Sequence, residues 1–380
     1  MEFEGQAVLD RDERYAWLAL KAVPGIGDVL CKRVIERFGS PMAALRADPS
    51  EWMTIEGIGS MVAQSLRTYR PDDTAIAREL DRVDELEYDL IGLTDPRYPV
   101  LLRMIPDPPP YLYLKGDLRP EDNRAVAIVG ARRASGYGRA VTEQLSRELA
   151  VRGFTIVSGM ARGIDGWAHR AALEAPGRTI AVLGSGLDIL YPREHDELRE
   201  AISRQGAVLS DYPLGTPPDP VNFPKRNRVI SGLSLGVVVV EAAARSGSLI
   251  TARLALDQGR EVFAVPGPIG TKTSIGTHAL IKQGAKLVEG VEDILDELLP
   301  QLEAPADATP ARDLSGKPRR PSLLPDERIV YECLSAEPRH IDELTAALRL
   351  PPAKTAGVLL QLELKGAVRQ LAGNLFIRIE

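Results

Sequence analysis

The sequence predicts an α/β protein built on a doubly wound, mostly parallel sheet, flanked by smaller domains at both ends. Three observations point there. From Ala125 onward, short and nearly continuous apolar runs recur at Val126–Val129, Phe154–Val157, Ile180–Leu183, Ala207–Leu209, Val237–Val240, Val262–Val265 and Lys286–Val288. Helical patterns such as Ala140–Ala150 and Leu249–Gln258 separate several of them. Strands buried on both faces with helical crossovers lose the apolar–polar alternation of a one-sided sheet. Glycine-bearing turns end several of the runs, where such sheets place their ligands.

The elements are justified in chain order. Val23-Pro24-Gly25-Ile26-Gly27 recurs as Ile55-Glu56-Gly57-Ile58-Gly59, each followed by a helical pattern, Val29–Phe38 and Met61–Tyr69. These copies resemble the helix-hairpin-helix motif of DNA-binding proteins, so residues 1–80 read as a helical domain. Such hairpins suit a phosphate, but Asp28 and Glu56 oppose one here. A connector rich in proline (Pro96, Pro99, Pro106, Pro108-Pro109-Pro110) reads as an extended boundary. The sheet domain then spans 81–300, and residues 301–324 read as a flexible linker. Residues 325–380 read as three helices, Arg328–Leu334, Ile341–Leu348 and Ala353–Lys365, the last stopped by Gly366. Strands Val368–Leu371 and Leu375–Arg378 follow around Ala372-Gly373-Asn374, and the set resembles a winged helix.

Composition narrows the function. The 380 residues carry a net charge of −6, yet residues 121–290 hold 21 Lys and Arg against 17 Asp and Glu, a net of +4. That concentration predicts an anionic partner for the middle of the chain. Cys31 and Cys333 lie too far apart in sequence to suggest a disulfide framework or a Cys-based zinc site. No secretory signal or membrane-length apolar run is read, so a cytoplasmic protein is expected.

Four turns could carry chemistry. Gly130-Ala131-Arg132-Arg133-Ala134-Ser135-Gly136-Tyr137-Gly138 follows the first run and favours phosphate, but its spacing is not that of a dinucleotide fingerprint. Ser158-Gly159-Met160-Ala161-Arg162-Gly163-Ile164-Asp165 ends the second run, with Asp165 and His169 four residues apart as on one helix face. A general-base role for that pair competes with an aspartate satisfying amides at a helix start. Asn222-Phe223-Pro224-Lys225-Arg226-Asn227-Arg228 is the sharpest feature, because single-stranded nucleic acid asks for cations beside an aromatic face. Ser246-Gly247-Ser248-Leu249-Ile250-Thr251-Ala252 offers amides and hydroxyls at a helix start.

In order and wording these four motifs resemble the DNA-processing protein A (DprA, or Smf) family over residues 85–290. The resemblance implies a Rossmann-like core and a recombination mediator of natural transformation. Such a protein binds single-stranded DNA, displaces or bypasses single-strand-binding protein, loads RecA, forms a homodimer and performs no catalysis. By motif, the DNA-binding residues are Gly130, Ala131, Arg132, Arg162, Gly163, Phe223, Lys225, Arg226, Asn227, Arg228, Ser246, Gly247 and Ser248. Ala131 stands where the family usually has serine, which removes a hydroxyl contact. Arg132 and Arg226 are expected to act together as phosphate clamps on loops, with no metal or cofactor. The alternative is a nucleotide phosphoribohydrolase or nucleotide-binding protein using Asp165 or Glu241.

Overall fold

A computed structural model of the chain describes residues 9–303, 325–335, 339–348, 352–364, 367–371 and 375–378. Two compact units result, one ending at Glu303 and one beginning at Ala304. The first opens with helices α1 (Arg11–Lys21), α2 (Asp28–Phe38), α3 (Pro41–Arg46), α4 (Pro49–Trp52), α5 (Ser60–Thr68) and α6 (Asp73–Glu85). The two hairpins precede α2 and α5 and pack against each other's helices. A Cβ at Gly25 would lie 3.1 Å from Val62 of α5, and one at Gly57 would lie 3.0 Å from Leu30 of α2. Both glycines have φ near +90°, a conformation costly for any other residue.

The sheet has nine strands: β1 (Asp89–Gly92), β2 (Tyr111–Gly116), β3 (Ala125–Val129), β4 (Thr155–Ser158), β5 (Thr179–Val182), β6 (Ala207–Ser210), β7 (Gly236–Val239), β8 (Glu261–Ala264) and β9 (Lys286–Leu287). Their order is β1-β2-β6-β5-β4-β3-β7-β8-β9. All seven apolar runs are strands of its parallel part, running outward from β3 to β6 and then back to β7, β8 and β9. The crevice where the winding reverses therefore lies beside β3 and β7. The proline-rich connector holds more structure than its composition suggests. β1 and β2 pair antiparallel with each other and β2 pairs antiparallel with β6, so they extend the sheet rather than bound it.

Helices α7 (Val100–Met104), α8 (Gly136–Val151), α9 (Ile164–Glu174), α10 (Asp196–Gln205), α11 (Asn222–Gly232), α12 (Gly247–Asp257), α13 (Ile275–Lys282) and α14 (Val291–Glu303) complete the unit. Along β3 the side chains divide as a two-faced strand requires. Val126 and Ile128 join Leu145, Leu149, Ile294 and Leu298 in one core, while Ala127 and Val129 join Val229, Ile230 and the N-terminal helices in the other. The segments read as separate at 1–80 and 81–300 thus share a core. α14 also runs to Glu303, past the expected start of the linker.

The second unit contains α15 (Pro325–Glu332), β10 (Arg339–His340), α16 (Ile341–Leu348), α17 (Pro352–Leu364), β11 (Val368–Leu371) and β12 (Leu375–Arg378). The three helices and the antiparallel β11–β12 hairpin match the sequence reading; β10 is additional and pairs with β12. Val330, Leu344, Leu359, Leu362 and Phe376 form its core. Residues 304–324, Gly366 and the turn 372–374 lie outside the described residues. Among the described residues no helix is long and apolar enough to cross a membrane.

The join between the helical segment and the sheet gives a direct test. Trp17 is fully buried against β1, where a Cβ at Gly92 would fall 2.1 Å from its Nε1. Gly92→Ala must displace the indole, and overpacking of this kind costs about 1–3 kcal/mol. Denaturant unfolding should show that loss; an unchanged midpoint would contradict a shared core.

Candidate nucleic-acid interface

Loops following β3, β4, β6 and β7, with Tyr191 from the long loop after β5, enclose a cavity of about 370 Å³ at the C-terminal edge of the sheet. Its lining includes Gly130, Arg132, Asp165, Phe223, Arg226, Asn227, Ser246, Gly247 and Ser248. All of these except Asp165 belong to the set expected from the sequence, and they come from three separated motifs. Ala131, Arg162 and Gly163 lie in the adjoining loops. Gly163 has φ +75°, and a Cβ there would sit 2.3 Å from the Ala131 carbonyl, so glycine is what lets the two turns approach.

The run 223–228 is not a loop. It forms the first turns of α11, and Pro224 is tolerated because the first N–H groups of a helix have no intrahelical acceptor. Helical spacing sends its cations in different directions. Arg226 points inward and is 3% exposed. Its guanidinium donates to the Gly159 carbonyl at 2.9 Å and to the Val182 carbonyl, tying the ends of β4 and β5 to α11. Burial pulls its pKa down to about 10, with Asp165 opposing that fall, so Arg226 stays charged at neutral pH. Asp165 accepts from the Gly159 and Ala161 amides at 3.2 and 3.4 Å. It therefore fills the helix-start role, and His169 is engaged separately, its Nδ1 2.6 Å from Thr179 Oγ1. Burial drives the His169 pKa down to about 3, so the ring is neutral.

Arg228 faces the other side of α11. There it pairs with Asp211 and Asp28 at 2.8 Å each and with Asp107 at 3.7 Å, linking the sheet domain to the start of α2. A second cavity of about 570 Å³ lies on this side and takes in Lys225 and Arg228, with Pro224 common to both cavities. These placements divide the basic run. Arg226 and Arg228 are structural bonds, while Lys225 is exposed and has no partner among the described residues.

Arg132 keeps the role expected of an open cation. It is exposed, makes no ion pair among the described residues, and lies over the Phe223 ring at 5.2 Å. Arg133 and Arg245, also exposed and unpaired among the described residues, flank the same edge. Arg162 is held by Glu194, with Nη2 3.1 Å from Oε2, and that contact draws the Glu194 carboxyl down to about 2. Ser246 caps α12 by accepting from the Ser248 amide at 3.4 Å, and the space beside Gly247 is open.

Nothing in the local sequence marks Glu241 as structural. Its carboxylate accepts from the Ser135 amide at 2.9 Å and from the Ser135 hydroxyl at 2.5 Å, at the start of α8. The chain thus fills with its own carboxylate a helix start that could otherwise take a phosphate. The room comes from Gly138, where a Cβ would lie 2.6 Å from Glu241 Cδ. Tyr191 likewise carries no local signal; it is 37% exposed with its ring 5.6 Å from Phe223.

These roles separate by stability. Arg226→Gln leaves Asp165 buried without its cation and frees two carbonyls, a change expected to cost about 3–5 kcal/mol. Arg132→Gln should change unfolding by less than about 0.5 kcal/mol, as surface substitutions do. Urea titration of both variants checks this, and equal stabilities would return Arg226 to the role of a free clamp.

The family model described as DNA recombination-mediator protein A matches residues 89–299, and that of the DprA winged helix domain matches residues 315–374. Protein Smf of Escherichia coli is 40% identical over 86% of this chain and 87% of its own length. The DNA processing protein DprA of Bacillus subtilis is 44% identical over 59% of this chain and 75% of its own. The X-ray structure of DprA from Streptococcus pneumoniae superposes with a TM-score of 0.65 at 36% identity, covering 77% of this chain and 99% of that one. A structure of DNA processing protein A from Helicobacter pylori, described as giving insight into its single-stranded DNA binding mode, superposes with a TM-score of 0.51 at 33% identity, over 57% of this chain and 97% of that one. The chain belongs to the DprA/Smf family of DNA recombination-mediator proteins.

Proposed function

We propose that this chain binds single-stranded DNA without regard to sequence and delivers it to RecA during recombination and natural transformation. The observation that carries the binding step is the pairing of Arg132 with Phe223 at the mouth of a cavity whose rim bears unpaired cations. Phosphates need such cations, and bases need an aromatic surface. Helices α9, α11 and α12 also begin at this edge, so their positive ends add to the field. The single-stranded DNA binding described for the Helicobacter pylori relative supports the same ligand.

The protein acts in the cytoplasm as a homodimer, hands DNA to RecA and works against single-strand-binding protein. These steps rest on family membership. The role is that of a binder and not an enzyme. Supporting this, the Asp165 carboxylate, although it lines the cavity, is committed to the Gly159 and Ala161 amides, and that of Glu241 to Ser135.

The test is fluorescence anisotropy with unrelated oligonucleotides of one length. Arg132→Glu should weaken all of them about equally, since phosphate contacts carry no base information. Arg132→Lys should lose less, because it keeps the charge without the two-pronged fork. Affinity should also fall with salt, and each phosphate contact removed should reduce the slope by about 0.7. A sequence-selective loss, or none, would contradict the proposal.

A further inference from the structure

We infer that Tyr191 presents a further aromatic face, beside that of Phe223, on which a nucleobase stacks. This rests on the single-stranded DNA reading above.

Phe223 is half-buried. The Arg132 guanidinium lies 5.2 Å from its ring and that of Arg226 5.9 Å, and the ring of Tyr191 is 5.6 Å away. Its edge presses on the backbone at Gly184, where a Cβ would come within 2.8 Å of Phe223 Cδ1. Tyr191 lines the same cavity, is more exposed, and has no hydrogen bond to its hydroxyl among the described residues.

The loop that carries Tyr191 is fixed without any ligand. His195, four residues on, is buried with Nδ1 3.0 Å from the Met160 carbonyl, and Glu194 pairs with Arg162. Both contacts tie this loop to the turn after β4, while Tyr191 itself leans on α11. The aromatic is therefore held in place beforehand, which spares a ligand the cost of ordering it. Pro218 and Pro220 also line this cavity, and their rings carry no side-chain polar group to compete for a base. Every base has a π-face, so stacking here adds affinity without sequence preference.

The experiment uses the full chain, labelled oligothymidylate, and the same strand with its bases replaced by abasic sites. The wild type should bind the intact strand more tightly by roughly fivefold or more per engaged base. Tyr191→Ala and Tyr191→Leu should lose about fivefold or more of that preference, whereas Tyr191→Phe should keep the difference. Leucine preserves apolar contact with Phe223, so it reports on the π-face should the alanine variant unfold. If both variants keep wild-type discrimination while Arg132→Glu loses binding, the inference fails and the site stands. If Arg132→Glu binds normally, the site reading fails and takes the inference with it.

Discussion

A buried guanidinium organises this site. Arg226 donates to carbonyls at the ends of two adjacent parallel strands from a helix that follows a third. A charge in that position is tolerated only with hydrogen bonds and a countercharge, and Asp165 supplies the latter. Asp165 in turn commits its carboxylate to the amides of the β4 turn. One residue pair therefore fixes the relation of α9, α11 and the strand ends. Phe223, one helical turn before Arg226, inherits its position from that bond, and through Phe223 so do Arg132 and Tyr191.

Filling the α8 start with Glu241 changes what the fold can hold. In a doubly wound sheet the turn after the first parallel strand commonly receives a pyrophosphate at the helix N-terminus. Here that position already carries a carboxylate. The cavity accordingly opens between that turn and the starts of α11 and α12, under Arg132. Its walls belong to five successive strand-end loops, and Arg133 and Arg245, unpaired among the described residues, flank the same edge. That arrangement suits an extended polyanion better than an enclosed cofactor.

The seven parallel strands were legible because burial on both faces leaves continuous apolar runs, and the hairpin repeat and the winged helix were legible through glycine spacing and periodicity. β1 and β2 were hidden by their prolines, which sit between the strands. The basic run misled for a different reason. Pro224 and three cations look like a solvated turn, yet a proline fits a helix start and three-residue spacing turns Arg226 inward. Charge alone does not reveal which arginine is buried: Arg226 and Arg228 became internal bonds, while Arg132 and Lys225 stayed open. Tyr191 carried no signal, because nothing local tells an exposed loop tyrosine from one that faces a cavity formed by distant segments.

The central claim is that the cavity under Arg132 receives single-stranded DNA. A crystal structure of the full chain with a short oligothymidylate tests it most directly. The account predicts backbone phosphates within hydrogen-bond distance of Arg132 and of the α12 start at Gly247, with Arg226 still bonded to Gly159 and Val182. A strand bound instead at the hairpins before α2 and α5, or on the C-terminal unit, with this cavity empty, would contradict it.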